Sequence, residues 1–270
     1  MSEDKEQKPY RGRIAPTPTG YLHEGHARTF QIAWQRARDR KGKIIFRNDD
    51  LDQSRSRKEF TSAAMEDLRA LGINWDEGPD CGGTYDPYNQ SQRSGSYINT
   101  LVMLAENGFV YPCNRTRKEI QKHGVENQLG SEYLFPQKFQ PEKKIFSRNE
   151  VELNTNWRFR TKQGERVEFT DAQNGEQSFT VGKDFADFLV WRKDGYASYE
   201  LATVVDDYQM EITEVVRGDD LLLSSARQCL LFDALGWERP NFYHCKLLLG
   251  LDGQKLSKSS RSLPRLFPAP

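Results

Sequence analysis

The 270-residue sequence predicts an α/β fold: a parallel sheet with helices on both faces, split by an insertion that holds a small antiparallel β piece. Three observations carry this reading. Short apolar stretches of strand length alternate with helical stripes up to Cys113. The rhythm then breaks into a polar, weakly periodic segment. It resumes from Phe185.

Each element has its own signal. "RGRIAPTPTG" reads as a strand over Arg11–Ala15 that breaks at Pro16 and Pro18 and turns at Gly20. Ala27, Phe30, Trp34 and Ala37 recur at helical spacing and predict a helix to about Arg40, with Gly42 suited to its end. "KIIFR" (43–47) reads as a buried strand. Phe60, Ala64, Leu68 and Leu71 form a second helical stripe stopped by Gly72. Tyr97, Leu101, Leu104 and Ala105 form a third, stopped by Gly108. In the insertion, "WRFRTK", "RVEFTD" and "QSFTV" alternate as short antiparallel strands do. Beyond it, "DFLVWR" and "EITEVVRG" read as strands. "SSARQCLLFDALG" reads as a helix with a Ser cap and a Gly stop, and "KLLLG" as a last strand. The expected organisation is a tail (1–10), a first half-domain (11–112), the insertion (113–184), a second half (185–259) and a short tail (260–270).

Bulk numbers exclude several classes. Charged residues make up 29% of the chain, 39 basic against 39 acidic, so a nucleic-acid partner would need a local patch. No apolar run reaches the length of a membrane span, and "MSEDKEQKP" is polar, so neither a signal peptide nor a membrane partner is expected. Cys81, Cys113, Cys229 and Cys245 form no CxxC or CxC pair. The expected setting is the reducing cytoplasm, without disulfides.

Two stretches carry chemistry. "GYLHEGHARTF" (20–30) places His23 and His26 at a strand-to-helix turn, with Gly25 between them. Carboxyl ends of parallel strands are where open α/β sheets bind ligands, and a helix N-terminus favours phosphate. Imidazoles there can donate to phosphate oxygens, and Gly25 would let a flat ring approach the backbone. Taken alone, such a pair is more commonly surface histidines near a turn. "DGQKLSKS" places Lys255 and Lys258 on a Gly/Ser-rich loop, where lysine suits the β- and γ-phosphates of a nucleotide. Taken alone, such a stretch is more commonly a solvated basic loop. The basic clusters at 36–47, 55–58 and 115–118 are open to the same two readings.

Together the two stretches resemble the paired signature of the class I aminoacyl-tRNA synthetases. "RIAPTPTGYLHEGHAR", "DDLDQSRS", "DLRALGINWDEGP", "YNQSQR", "VVDDYQMEITEVVRGDDLL" and "GQKLSKS" follow the order and spacing of its glutamate-specific branch, over most of 11–259. A chain stopping soon after the lysine loop, with no anticodon-binding region, is similar within that branch to the glutamyl-queuosine tRNA(Asp) synthetases. The resemblance implies a Rossmann-like catalytic domain, a connective insertion of acceptor-binding type, and two steps. In the first, a carboxylate of L-glutamate attacks the α-phosphorus of ATP, accompanied by Mg2+, and pyrophosphate leaves; tRNA is not required. In the second, glutamate passes to the queuosine base of tRNA(Asp). Other acceptors implied by the wider branch are the 3′ end of a tRNA, or none, in a non-catalytic relative that only binds nucleotide or tRNA.

By the same resemblance, His23, Gly25 and His26 with Lys255 and Lys258 would hold ATP, with His23, His26 and Lys258 acting in catalysis. Arg13, Ala15, Pro16, Thr17, Asp49, Tyr199 and Arg217 would hold glutamate. Guanidinium suits carboxylate through two parallel hydrogen bonds, though a surface salt bridge is the commoner use of a lone arginine. "APTPTG" is the glutamate-type first turn, and a neutral glutamine amide would not need Arg217. Asp206 and Asp207 read either as site acids or as solvated loop acids. Three departures stand out. "RNDD" has Asp49 where the family has Glu, one methylene shorter. The family's zinc motif keeps Cys113 and Tyr133 but has Arg115 and Gln137 at its other two positions. One thiolate and one phenol are too few for a tetrahedral site, so zinc is expected to be absent. Glu24 stands where the family has an apolar residue.

Overall fold

The structure, a computed structural model, describes residues 8–247. In chain order its elements are β1 (Arg11–Ile14), α1 (Glu24–Asp39), β2 (Lys43–Phe46), α2 (Lys58–Ala70), α3 (Ser94–Glu106), β3 (Val110–Pro112), α4 (Arg117–His123) and β4 (Trp157–Phe159). Then follow β5 (Arg166–Asp171), β6 (Gly175–Thr180), β7 (Phe188–Trp191), α5 (Tyr199–Gln209), β8 (Glu214–Gly218), α6 (Leu222–Leu235) and β9 (Asn241–Cys245). Among the described residues no helix is long and apolar enough to cross a membrane. The expected tail 1–10 falls largely outside the described residues, and the lysine loop and the tail 260–270 lie wholly outside them.

The described chain forms two compact units. The first takes residues 8–92, 209–219 and 240–247. In it β1 and β2 run parallel, from Arg11 opposite Lys43 to Ile14 opposite Phe46. β8 and β9 also run parallel, from Glu214 opposite Asn241 to Gly218 opposite Cys245. Thr213 links the pairs: its N–H donates to the Arg11 carbonyl at 2.9 Å, and the Arg11 N–H donates to Thr213 Oγ1 at 2.9 Å. Alternate strand residues face opposite sides of a sheet. Ile14, Ile44, Phe46, Val216 and Cys245 therefore pack with Phe30, Ala33 and Ala37 of α1 and Ala64 and Leu68 of α2 in one core. Arg13, Ile45, Arg217 and His244 occupy the other face.

A buried charge cluster ties β1 and β2 to the following chain. Arg11 donates to both carboxylate oxygens of Glu77 at 3.0 and 3.2 Å, Lys43 Nζ donates at 3.1 Å and Tyr88 OH at 2.6 Å. Burial pushes the Glu77 carboxyl up, but the hydrogen bonds from Arg11, Tyr88 and Lys43 outweigh it and hold its pKa at about 2, below the usual 4.5. A folded-state pKa below the unfolded one contributes stability above pH 4.5 that is lost as pH falls toward 2. Thermal unfolding between pH 5 and pH 2.5 tests this: Glu77→Gln should lose less Tm over that range than the native chain. The variant should also start from lower stability at pH 7, by about 3 kcal/mol for a broken buried pair. Equal acid slopes would contradict the assignment.

The second unit takes residues 93–208 and 220–239. β3, β4 and β7 form an antiparallel sheet in that order, and β5 and β6 an antiparallel hairpin. Three expectations change here. "DFLVWR" does not resume the parallel sheet, because its strand β7 pairs antiparallel with β4. The stretch before "EITEVVRG" is a helix, α5, whose residues from Glu200 to Asp207 are all buried. α6 begins at Leu222 rather than at a Ser cap; Ser225 Oγ donates to the Leu221 carbonyl inside the first turn. Its stop is as expected, with Gly236 in the left-handed conformation at φ 67°. In the first unit the last described strand is β9, ahead of "KLLLG"; Lys246 and Leu247 are not in strand, and 248–250 lie outside the described residues.

Several arginines of the expected basic clusters are paired with acids: Arg36 with Glu214, Arg38 with Asp76, Arg55 with Asp52 and Arg115 with Glu119.

Candidate active site

The carboxyl ends of β1, β2 and β8 gather most of the expected site residues in the first unit. β1 ends at Ile14, because Pro16 and Pro18 lack the N–H a ladder needs. The turn is held across the strand ends: the Arg47 N–H donates to the Ile14 carbonyl at 2.9 Å, the Asp49 N–H to the Pro16 carbonyl at 3.0 Å, and the Arg57 N–H to the Pro18 carbonyl at 3.0 Å. Ala15, Pro16 and Thr17 thus run beside Asp49 and lead into α1.

His23 is the N-cap of α1 and His26 its third residue. The His23 backbone N–H donates to His26 Nδ1 at 3.3 Å, and the two rings lie 3.6 Å apart, tilted by 32°. An acceptor nitrogen carries no proton, so the neutral His26 ring keeps its hydrogen on Nε2. That N–H is a ready donor at a helix mouth whose first-turn amides already favour an anion. A Cβ at Gly25 would lie 3.0 Å from His23 Cε1 and 3.1 Å from His23 Nδ1, so any other residue there would have to shift the His23 ring. The nearest ring to this glycine is therefore His23 itself. Glu24 opens α1 with an exposed side chain, where its charge complements the helix dipole, worth about 0.5 kcal/mol.

The arginines stand on the sheet face opposite α1 and α2. Arg13 is 5% exposed and donates from Nη1 to the Val216 carbonyl at 3.0 Å, beside Arg217. Arg217, also 5% exposed, donates from Nε to Nε2 of His244 at 3.3 Å. Asp49 accepts from Arg47 Nε at 2.7 Å and Nη2 at 3.4 Å, and both residues are buried. The shorter acid is thereby held against a fixed guanidinium, and a carboxylate keeps lone pairs for a further donor. Buried guanidiniums at strand ends suit an anionic carboxylate, and the paired Asp49 suits an ammonium.

The remaining expectations divide. Tyr199, the first residue of α5, belongs to the second unit. It lines a cavity of about 270 Å³ there with Tyr133, Arg158, Phe188, Glu200 and Arg227. Asp206 is neither a loop acid nor solvated: it is fully buried on α5 and accepts from Arg93 Nε at 2.6 Å and from Tyr97 OH at 2.9 and 3.0 Å. Asp207 is buried on the same helix. Lys255 and Lys258 lie outside the described residues. Cys113 packs in an apolar cluster with Tyr111, Ile120 and Phe135, while Tyr133 is exposed. Among the described residues no group of three or more His, Cys, Asp or Glu side chains is placed to hold a metal ion.

Sequence reasoning missed Arg47 and His244. Arg47 stands two residues before Asp49, a spacing that offered a signal. His244 offered none, because its partner follows from a strand register 27 residues away.

Comparisons with known proteins agree on one family. The description "tRNA synthetases class I (E and Q), catalytic domain" matches residues 10–265. The chain is 42% identical over 252 residues to the glutamyl-Q tRNA(Asp) synthetase of Symbiobacterium thermophilum, covering 92% of this chain and 77% of that protein. It is 40% identical over 263 residues to glutamate–tRNA ligase 2 of Syntrophus aciditrophicus, covering 94% of this chain and 52% of that one. The crystal structure of glutamate-tRNA synthetase from Elizabethkingia anophelis superposes with a TM-score of 0.78 at 30% identity, over 93% of this chain and 53% of that one. The chain thus spans about half the length of the glutamate–tRNA ligases it resembles.

Proposed function

The chain belongs to the class I tRNA synthetases of the glutamate and glutamine type, matched over residues 10–265, and from that premise we propose that it activates L-glutamate with ATP and transfers it to the queuosine base of tRNA(Asp). The observation that supports the first step is the order of the chain at the carboxyl ends of parallel strands: the His23–His26 pair follows β1, and buried Arg13, Asp49 and Arg217 stand at or just past the ends of β1, β2 and β8.

In this reading ATP enters as its Mg2+ complex and lays its α-phosphate at the mouth of α1. His26 Nε2–H and His23 donate to its oxygens, and Gly25 keeps the turn narrow. Arg13 and Arg217 take the carboxylates of glutamate. Asp49, held by Arg47, accepts from the α-ammonium, and the backbone of Ala15, Pro16 and Thr17 lines the approach. A glutamate carboxylate oxygen bonds to the α-phosphorus, the bond to the bridging oxygen breaks, and pyrophosphate leaves; Lys255 and Lys258, which the resemblance assigns to the nucleotide, lie outside the described residues. No protein nucleophile is required; the chain supplies alignment and donors for the charge on the phosphate. The acceptor nucleophile then attacks the mixed anhydride and AMP leaves.

The 40% identity to a glutamate–tRNA ligase, close to the 42% to the queuosine-type relative, favours a second reading in which the acceptor is a tRNA 3′ end. Glutamate-dependent ATP–pyrophosphate exchange without tRNA tests the first step. An acceptor assay tests the second. Labelled glutamate should appear on queuosine-containing tRNA(Asp) and not on tRNA(Glu); the reverse result overturns the queuosine reading and leaves activation standing. The insertion is read as holding without zinc, since Cys113 is turned into an apolar cluster. Equimolar zinc in the purified protein would contradict that.

A further inference from the structure

We infer that His244 is a positioning residue for Arg217, orienting its guanidinium toward the amino-acid carboxylate by accepting a hydrogen bond from its Nε; the inference rests on the role proposed above for Arg217. β8 and β9 are parallel, and their register sets Arg217 directly opposite His244. His244 is fully buried, and its Nε2 lies 3.3 Å from Arg217 Nε. Arginine never accepts a hydrogen bond, so His244 Nε2 is the acceptor and the ring's hydrogen sits on Nδ1. Phe242, two residues earlier on the same strand face, stacks on the His244 ring at 6.0 Å and lies under the Arg217 guanidinium at 5.9 Å.

A guanidinium on a flexible stem loses rotamer freedom when it binds a carboxylate. With Nε held on His244 of β9 and the guanidinium carbon over the Phe242 ring, Arg217 is ordered before the ligand arrives. The gain is in binding, as for any pre-organised donor pair. Removing the acceptor should therefore act on the affinity for the amino acid and leave the ATP site and the chemical step alone.

The test is ATP–pyrophosphate exchange on His244→Phe, which keeps the ring's bulk without an acceptor, and on His244→Gln, whose Oε1 reaches the place of Nε2. The Phe variant should raise the glutamate KM about tenfold, the scale of one hydrogen bond to a charged group, with kcat and the ATP KM within roughly twofold. The Gln variant should recover most of that loss. If the Phe variant unfolds, His244→Asn replaces it, since its Oδ1 falls at the place of Nδ1 and cannot reach Arg217. An unchanged glutamate KM in His244→Phe or His244→Asn, or equal losses in the acceptor-free and Gln variants, overturns the inference. Arg217→Ala run alongside separates the two levels: if it leaves the glutamate KM untouched, the role of Arg217 itself fails.

Discussion

Arg217→Ala should lower kcat/KM for glutamate in ATP–pyrophosphate exchange by about 30- to 5,000-fold, the range expected when one partner of a buried charge pair is truncated for 2–5 kcal/mol. The reason is where the side chain stands. Arg217 is 5% exposed at the end of β8, with its Nε on an imidazole that carries no charge in this tautomer. A carboxylate bound there would leave water and meet this guanidinium and Arg13, whose Nη1 is on the Val216 carbonyl. The loss should fall mainly on glutamate KM and spare the ATP KM, because the histidine pair proposed to hold the nucleotide lies on another turn. Arg217→Lys should recover only part of the activity: an ammonium keeps the charge but not the planar fork or the contact with the Phe242 ring. Binding isotherms with glutamate and glutamine give a second readout. The native chain should prefer glutamate, and the Ala variant should lose that preference, since a neutral amide gains little from Arg217. A variant that keeps its glutamate KM would remove Arg217 from the site.

His26→Ala should reduce kcat by about 100- to 1,000-fold with the glutamate KM little changed, as when one donor to a developing oxyanion is removed. The geometry permits a sharper version. The His26 ring does two jobs with its two nitrogens: Nδ1 accepts the His23 N–H at 3.3 Å, and Nε2 presents the donor. Asparagine places a polar atom near the position of Nδ1, and glutamine near that of Nε2. His26→Asn should therefore preserve the N-terminal turn of α1, and most of the Tm, while losing the rate. His26→Gln should keep more rate than His26→Asn. The reverse order would place the donor on Nδ1 and refute the Nε2–H tautomer of His26. Loss of rate in step with loss of Tm across all three variants would make His26 a helix cap rather than a catalytic residue.

The parts of this protein readable in sequence are those whose cause is local. The prolines at 16 and 18 end β1 wherever it packs, and Gly236 ends α6 through a backbone angle that other residues rarely adopt. His23, Gly25 and His26 lie within one helical turn, so their proximity follows from chain geometry before any tertiary contact exists. The same holds for Arg47 beside Asp49. The strand β9 shows the limit. "NFYHC" has no clear apolar run, yet it forms β9, because its partner β8 supplies the edge it pairs with.

Helix α5 is a second case: the sequence reading assigned no element to the stretch between "DFLVWR" and "EITEVVRG", and its residues from Glu200 to Asp207 are all buried. Asp206, which read either as a site acid or as a solvated loop acid, is the buried partner of Arg93, 113 positions away. The sequence settles the α/β class, the strand-to-helix turn and the residue types that meet phosphate and carboxylate there. Which guanidinium rests on which imidazole, which acid is taken by Arg47 or Arg93, and which sheet face holds Arg13, Arg217 and His244 are matters of tertiary structure. Register between parallel strands is set across a crossover helix by the packing of both sheet faces at once, and no short run of residues carries that information.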